Sequence, residues 1–314
     1  MQSYIIKRLL SAVVVMWAVA TIVFFAMRVV PADPAEVVLG DYASQELITS
    51  FRHKMGLDLP IWQQYVNFLT GLLHGDLGRS MVTNQPVAEQ IFSLFPYTLS
   101  LALASLFVGA AIGIPLGVVT AVRRNTIVDS TGRLFALAGF SFPAFYLGVI
   151  LLIIFSVHLK WFPVVHSVNE GAELLEHLHK LVLPAFSLGL IQAAYITRLT
   201  RSAMLETLSQ DYVRTAHAKG LPADVVFFKH ALRNVLIPVV TAMGLYTGSI
   251  LGGSVLTETV FSRPGLGKLL IGAIAQRDYT LIQSGLMMFA FVVLIVNLLV
   301  DLSYVIFDPR VKYD

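Results

Sequence analysis

The 314-residue chain contains no cysteine, which removes disulfide frameworks, thiolate metal sites and cysteine nucleophiles. Charge is scarce too: Asp, Glu, Lys and Arg make up 13% of residues against 56% hydrophobic ones. Ordinary soluble domains are not that apolar, so an integral membrane protein is implied. A Gly-x-x-x-x-Gly-Lys-Ser/Thr loop is missing, and with it the usual backbone cradle for nucleotide phosphates. The nearest fragment, Gly265-Leu-Gly-Lys268, lacks the first glycine and the hydroxyl. His-Glu-x-x-His and Gly-x-Ser-x-Gly are also missing, which removes the commonest membrane-protease and esterase signals. The net charge of +3 is modest and does not imply nucleic acid.

What is present are charge-free runs long enough for a hydrocarbon core of about 30 Å. They lie at Leu9 to Met27, Tyr97 to Val122, Leu134 to Val157, Leu181 to Thr197, Val235 to Thr257 and Leu281 to Val300, predicting an all-α fold with six transmembrane helices. Barrel strands would be shorter and alternating in polarity. The first run follows Lys7 and Arg8 but is too long for a signal-peptide core and reads as a retained span. Lys and Arg number 13 in the connections on one side and 9 on the other, which places both termini in the cytoplasm. The expected organisation is a first span within 1–30, an outside segment 31–95, a membrane core 96–307 with a cytoplasmic connection 198–234, and a tail 308–314.

The outside segment carries two helical patterns. Ser44 is a candidate N-cap for a helix placing Leu47, Ile48, Phe51 and Met55 on one face and ending at Gly56. A second begins near Asp58 and Pro60 and puts Ile61, Tyr65, Phe68 and Leu72 on one stripe, ending near Gly75. These faces fit the protein's own spans, the lipid interface or a docking surface. Within the spans, Gly109, Gly113 and Gly117 recur at a spacing of four, as do Gly244, Gly248 and Gly252. Such faces let another backbone approach closely, either as fixed packing or as a moving, gating contact. Pro115 and Pro238 predict kinks.

The connection from Arg198 to Asn234 is polar and basic. Asp211 can cap a helix starting at Tyr212, Gly220 can end it in a left-handed conformation, and Pro222 prevents continuation. About two turns are too few to be stable alone, so the helix must pack on something. Arg214, His217 and Lys219 give it a basic surface, while Val213, Ala216 and Leu221 are apolar knobs that could enter a groove on a partner. A helix lying on lipid headgroups would carry the same charges. Glu173, Glu176, His177 and His179, with His158 and His166 nearby, cluster in an outside connection and read more simply as a solvated loop than as a metal site. Asp301 falls within the last apolar run, where an acid needs a partner such as Arg8 or Arg198 or serves a proton relay.

The residues of this connection resemble a known family. The inner-membrane subunits of ABC importers carry Glu-Ala-Ala, three residues, Gly, nine residues, Ile-x-Leu-Pro. This chain has Arg214-Thr215-Ala216, Gly220 and His230-Ala231-Leu232-Arg233, which resembles the variant found in dipeptide, oligopeptide and nickel permeases. The likeness extends to Met27 through Pro34, Gly75-Asp-Leu-Gly78, Phe142-Pro143, Leu183-Pro184, Pro264-Gly-Leu-Gly267, Arg277-Asp-Tyr279 and Asp308-Pro-Arg310. The long first outside segment is similar to that of the B-type member of the permease pair. The resemblance implies a type I ABC importer permease fold in a bacterial or archaeal cytoplasmic membrane. Arg214, Thr215, Ala216, Lys219, Gly220 and Leu221 would form the helix that docks on the ATPase. It further implies a homologous second permease, two cytoplasmic ATPase subunits, a periplasmic or lipid-anchored solute-binding protein, a peptide-like cargo and no cofactor of the chain's own. The rival reading, a stand-alone ion- or proton-driven carrier using Asp301, is disfavoured by the expected lack of other buried acids and of an internal repeat.

Overall fold

A computed structural model describes residues 2–29, 33–40, 43–165 and 174–307. Thirteen α-helices occur among them. α1 (Gln2–Val29) is followed by α2 (Pro34–Leu39), α3 (Gln45–Lys54) and α4 (Ile61–Leu73). Next come α5 (Val87–Val122), α6 (Ile127–Ser141), α7 (Ala144–Leu151) with a π-helical extension Leu152–His158, and α8 (Leu174–Leu208). α9 (Asp211–Ala218), α10 (Ala223–Val225) with a π-helical turn Val226–Ala231, α11 (Leu232–Val260), α12 (Leu266–Gln276) and α13 (Tyr279–Phe307) complete the chain.

Among the described residues five helices are long and apolar enough to cross a membrane, and six if the bent pair α6–α7 is one span. The third expected span is therefore not a continuous helix: it is bent by 103° at its centre. Pro143 has no N–H to continue the helix, and the residue before it, Phe142, is pushed to extended geometry at φ −107°, ψ 130°. Pro115 and Pro238 behave differently, since α5 and α11 run on through them. The fourth span is longer than its apolar run. α8 continues eleven residues beyond Thr197, so the connection begins near Ser209 and not at Arg198.

The chain forms two compact units, one of residues 1–97 with 265–295 and the other of residues 98–264 with the end of α13. In the first, Ser44 caps α3 by accepting from the Leu47 N–H at 3.3 Å, and Gly56 follows the helix at φ +65°. Ile48 is buried but Leu47 points outward, so the expected four-residue face is only partly used. α4 starts without a side-chain cap because its N-cap is Pro60, which has no side-chain acceptor, and Asp58 bonds His53. A small core joins Val87 and Ile91 of α5 to Leu266 and Ala273 of α12 and Leu281 and Ile282 of α13.

In the second unit, α5, α8 and α11 meet around Val118, Ala121, Ile196, Met204, Val235 and Val239. Here the first glycine ladder lies against α8. A Cβ on Gly109 would come within 2.9 Å of Gln192 Cγ, one on Gly113 within 2.8 Å of the Ala193 carbonyl, and one on Gly117 within 2.8 Å of the Thr197 carbonyl. Three successive turns of α5 thus lie against three successive turns of α8, running in the same direction. The second ladder differs: around Gly252 nothing lies within 4 Å, and Gly244 and Gly248 are half-buried.

Candidate functional site

α9 follows α8 after the two residues Ser209 and Gln210. Gln210 occupies the N-cap without a side-chain bond, and Asp211 sits in the first turn instead of capping it. Its carboxylate is exposed and lies 3.6 Å from Arg214 Nη1. At the other end Lys219 is the C-cap and Gly220 adopts φ +74°. A Cβ on Gly220 would meet nothing within 4 Å, so glycine is required there for its backbone conformation and not for space.

The inner face of α9 is Val213 and Ala216, both buried against Val226 and Leu208. These side chains seat the helix on its own chain, so they are not free to enter a partner's groove as their sequence suggests. Tyr212 adds a tether by accepting from Asn234 Nδ2 at 2.7 Å. The outward residues are Arg214, Thr215, His217, Lys219 and Leu221, and Phe228 is also exposed nearby. A two-turn helix is thus fixed by an apolar inner face while it presents a basic outer face with apolar members.

Eight residues before Ser209 lies a contact that sequence reading missed. Asp129 of α6, fully buried, accepts from Arg201 Nε at 2.7 Å and Nη2 at 2.9 Å in a bidentate pair. The backbone N–H of Asn125 donates to the same carboxylate at 3.0 Å, and Arg133 Nε approaches it at 3.6 Å. The Thr126-x-x-Asp129 spacing of a capping box was the available signal for the helix start. Nothing local to either residue indicated that Arg201 is the partner. The pair joins the beginning of α6 to the last turns of α8, directly before α9.

Residues 113–313 match the model of the binding-protein-dependent transport system inner membrane component family, and residues 1–102 match its N-terminal companion. The chain belongs to this family. Over its whole length the chain is 40% identical to the di/tripeptide transport system permease protein DppB of Pseudomonas aeruginosa (strain UCBPP-PA14), covering 99% of that protein. It is 42% identical to the glutathione transport system permease protein GsiC of Salmonella choleraesuis (strain SC-B67), with all of both chains covered. GsiC of Escherichia coli (strain K12) is 40% identical, again over 100% of each chain. Among solved structures, a chain of the MetNI methionine ABC transporter in an inward-facing conformation superposes with a TM-score of 0.56 at 20% identity. The superposition covers 69% of this chain and 95% of that one, and it shows the fold alone. The chain is a multi-pass inner-membrane permease subunit.

Other sequence candidates in this permease fall as follows. The side chain of Asp301 lies outside the described residues, as do Glu173 and His166. Glu176 pairs with Lys180 at 2.6 Å, and His179 Nε2 lies 3.1 Å from the Trp161 carbonyl. Among the described residues no three metal-type side chains converge. The premise that the chain has no other buried acids is overturned: Asp129, Glu258 and Asp278 are all buried. Each is engaged in hydrogen bonds. Glu258 accepts from Thr98 Oγ1 at 2.7 Å, and Asp278 accepts from Ser80 Oγ and from the Met81 and Leu281 N–H groups. Close to Asp278, a Cβ on Gly78 would come within 2.8 Å of Thr280 Cγ2, and Ser284 Oγ donates to the Leu77 carbonyl at 2.8 Å.

Proposed function

We propose that the permease carries small peptides, of the size of di- and tripeptides or glutathione, into the cytoplasm as part of an ATP-driven importer. α9 would be its contact with the ATPase. The observation that carries the reading is the seating of α9: Val213 and Ala216 hold the helix from inside while Arg214, Lys219 and Leu221 stay exposed. Ala216 then acts by positioning, and Thr215 and Gly220 by shaping the exposed turn. The relatives named for di/tripeptide and glutathione transport over the full chain length support the cargo class.

In this reading the permease pairs with a homologous second permease. Two ATPases bind at the cytoplasmic face and a solute-binding protein delivers cargo opposite. Both termini lie in the cytoplasm, in accord with the excess of Lys and Arg on that side. Movement of α9 reaches the spans along α8, and the Arg201–Asp129 pair passes it to α6, the first half of the bent span. A ligand that differs in affinity between two access states then shifts their populations. The test is reconstitution of the purified complex with its binding protein and measurement of ATPase stimulation by dipeptides, longer peptides, glutathione and nickel chelates. Absence of stoichiometric ATPase chains in the purified complex refutes the importer, and stimulation by nickel chelates alone refutes the peptide cargo.

A further inference from the structure

α4 carries two apolar faces, and only one is used within the chain. Tyr65 and Phe68 pack on the C-terminal half of α1. The Tyr65 hydroxyl lies 2.7 Å from Thr21 Oγ1, and Phe68 stacks on Phe24 at 5.6 Å between ring centroids. Gln64 Oε1 accepts from Arg28 Nη2 at 2.9 Å. α4 is therefore fixed beside residues 21–28 of α1, a helix long and apolar enough to cross a bilayer over Ile6–Val29.

The second face is Trp62, Val66, Leu69 and Leu73, at i, i+4, i+7 and i+11, which form one narrow stripe. Trp62 is 67% exposed and Leu73 85% exposed. Gln63, Asn67, Thr70 and the capping His74 repeat the same spacing one residue later and line the polar side. No charged residue occurs in Ile61–Leu73. Ile22, Phe25 and Val29 of α1 also face outward, and Phe25 lies 5.7 Å from Tyr65 of α4 between ring centroids.

We infer that the Trp62–Leu73 stripe is immersed in the lipid leaflet next to the C-terminal end of α1, making α4 an interfacial helix anchored to a span. The depth of α4 beside α1 favours lipid over a protein partner. A helix held beside the last two turns of a spanning helix lies at the acyl–headgroup boundary, where Trp is favoured and a bare apolar face is stable. Because α4 has no basic residue, its immersion needs no anionic lipid. The inference rests on α1 spanning the bilayer and not on cargo, coupling or sidedness.

The cysteine-free chain allows a direct test. Val66→Cys, Leu73→Cys, Asn67→Cys and Thr70→Cys are made singly, spin-labelled, and measured in the assembled complex in zwitterionic bilayers. Collisions with oxygen report lipid, and collisions with a water-soluble nickel chelate report solvent. Val66 and Leu73 labels should show a several-fold higher oxygen-to-nickel ratio than Asn67 and Thr70 labels. Equal nickel access at all four would overturn the inference in favour of an aqueous face. Shielding of Val66 and Leu73 from both reagents would overturn it in favour of a protein occupant. All four positions are on the surface of α4, so the labels leave its packing on α1 in place.

Discussion

Gly117→Ala and Gly252→Ala make the same chemical change in two spanning helices and should have opposite effects. At Gly117 an added Cβ would sit 2.5 Å from Thr200 Cβ and 2.8 Å from the Thr197 carbonyl oxygen, where ordinary contact begins at 3.4 Å. Neither neighbour can be moved by a rotamer change, because one is a Cβ and the other backbone. α5 and α8 must part by several tenths of an ångström, and because the core is close-packed that separation spreads to Gly109 and Gly113. Overpacking of this kind costs about 1–3 kcal/mol. At Gly252 nothing lies within 4 Å. The substitution there brings only the helix-propensity gain of alanine, up to about 1 kcal/mol in favour of the variant. Because both positions are helix interiors the propensity gain is common to the two variants, and they differ by the overpacking cost of about 1–3 kcal/mol. Reversible unfolding in mixed micelles reads it directly. Equal stabilities would refute the close α5–α8 approach, and a loss at Gly252 comparable to that at Gly117 would show that its face is covered.

Arg201→Ala leaves the fully buried Asp129 carboxylate without its bidentate partner and should destabilise the permease by about 3 kcal/mol. The double variant Asp129→Leu, Arg201→Met should regain most of that stability yet transport less per ATP, a split that a purely structural pair would not produce. Gly220→Asp forces a non-glycine residue to φ +74°, and Arg214→Glu inverts the exposed face of α9. Both should insert normally but lose ATPase co-purification, and normal transport in both would sink the coupling role. His53 Nδ1 donates to Asp58 at 2.7 Å, and this bond holds the carboxyl below the ordinary carboxylate range. Because the folded-state value is depressed, the bond is present above the ordinary range and is lost as pH falls through the lowered value. His53→Ala should return the Asp58 titration, followed by carboxyl NMR, to that range. A thiol label at Ser44→Cys should react from outside and one at Ser209→Cys only after the membrane is breached, and the reverse pattern would invert the proposed orientation.

The sequence by itself determined the features that depend on neighbours along the chain. A run of apolar residues must form a helix to satisfy its backbone in lipid, so the all-α membrane class followed directly. Ser44 and Gly220 were legible because a cap and a left-handed turn are set by the residue at that position. The sharp break of the third span at Phe142-Pro143 was not legible in this way, because Pro115 and Pro238 lie inside helices that run on through them. Only the tertiary structure decided which way side chains face. Val213 and Ala216 look like partner knobs in the sequence, and Val226, ten residues on, turns them inward. The two glycine ladders are indistinguishable by spacing, but one lies against α8 and the other has open space at Gly252. A span that is apolar on every side carries little periodic signal of its buried face, and that face is chosen by whichever helix packs there. Asp129 and Arg201 stand 72 residues apart, and their pairing exists only because α6 and α8 bring one buried carboxylate within reach of one guanidinium.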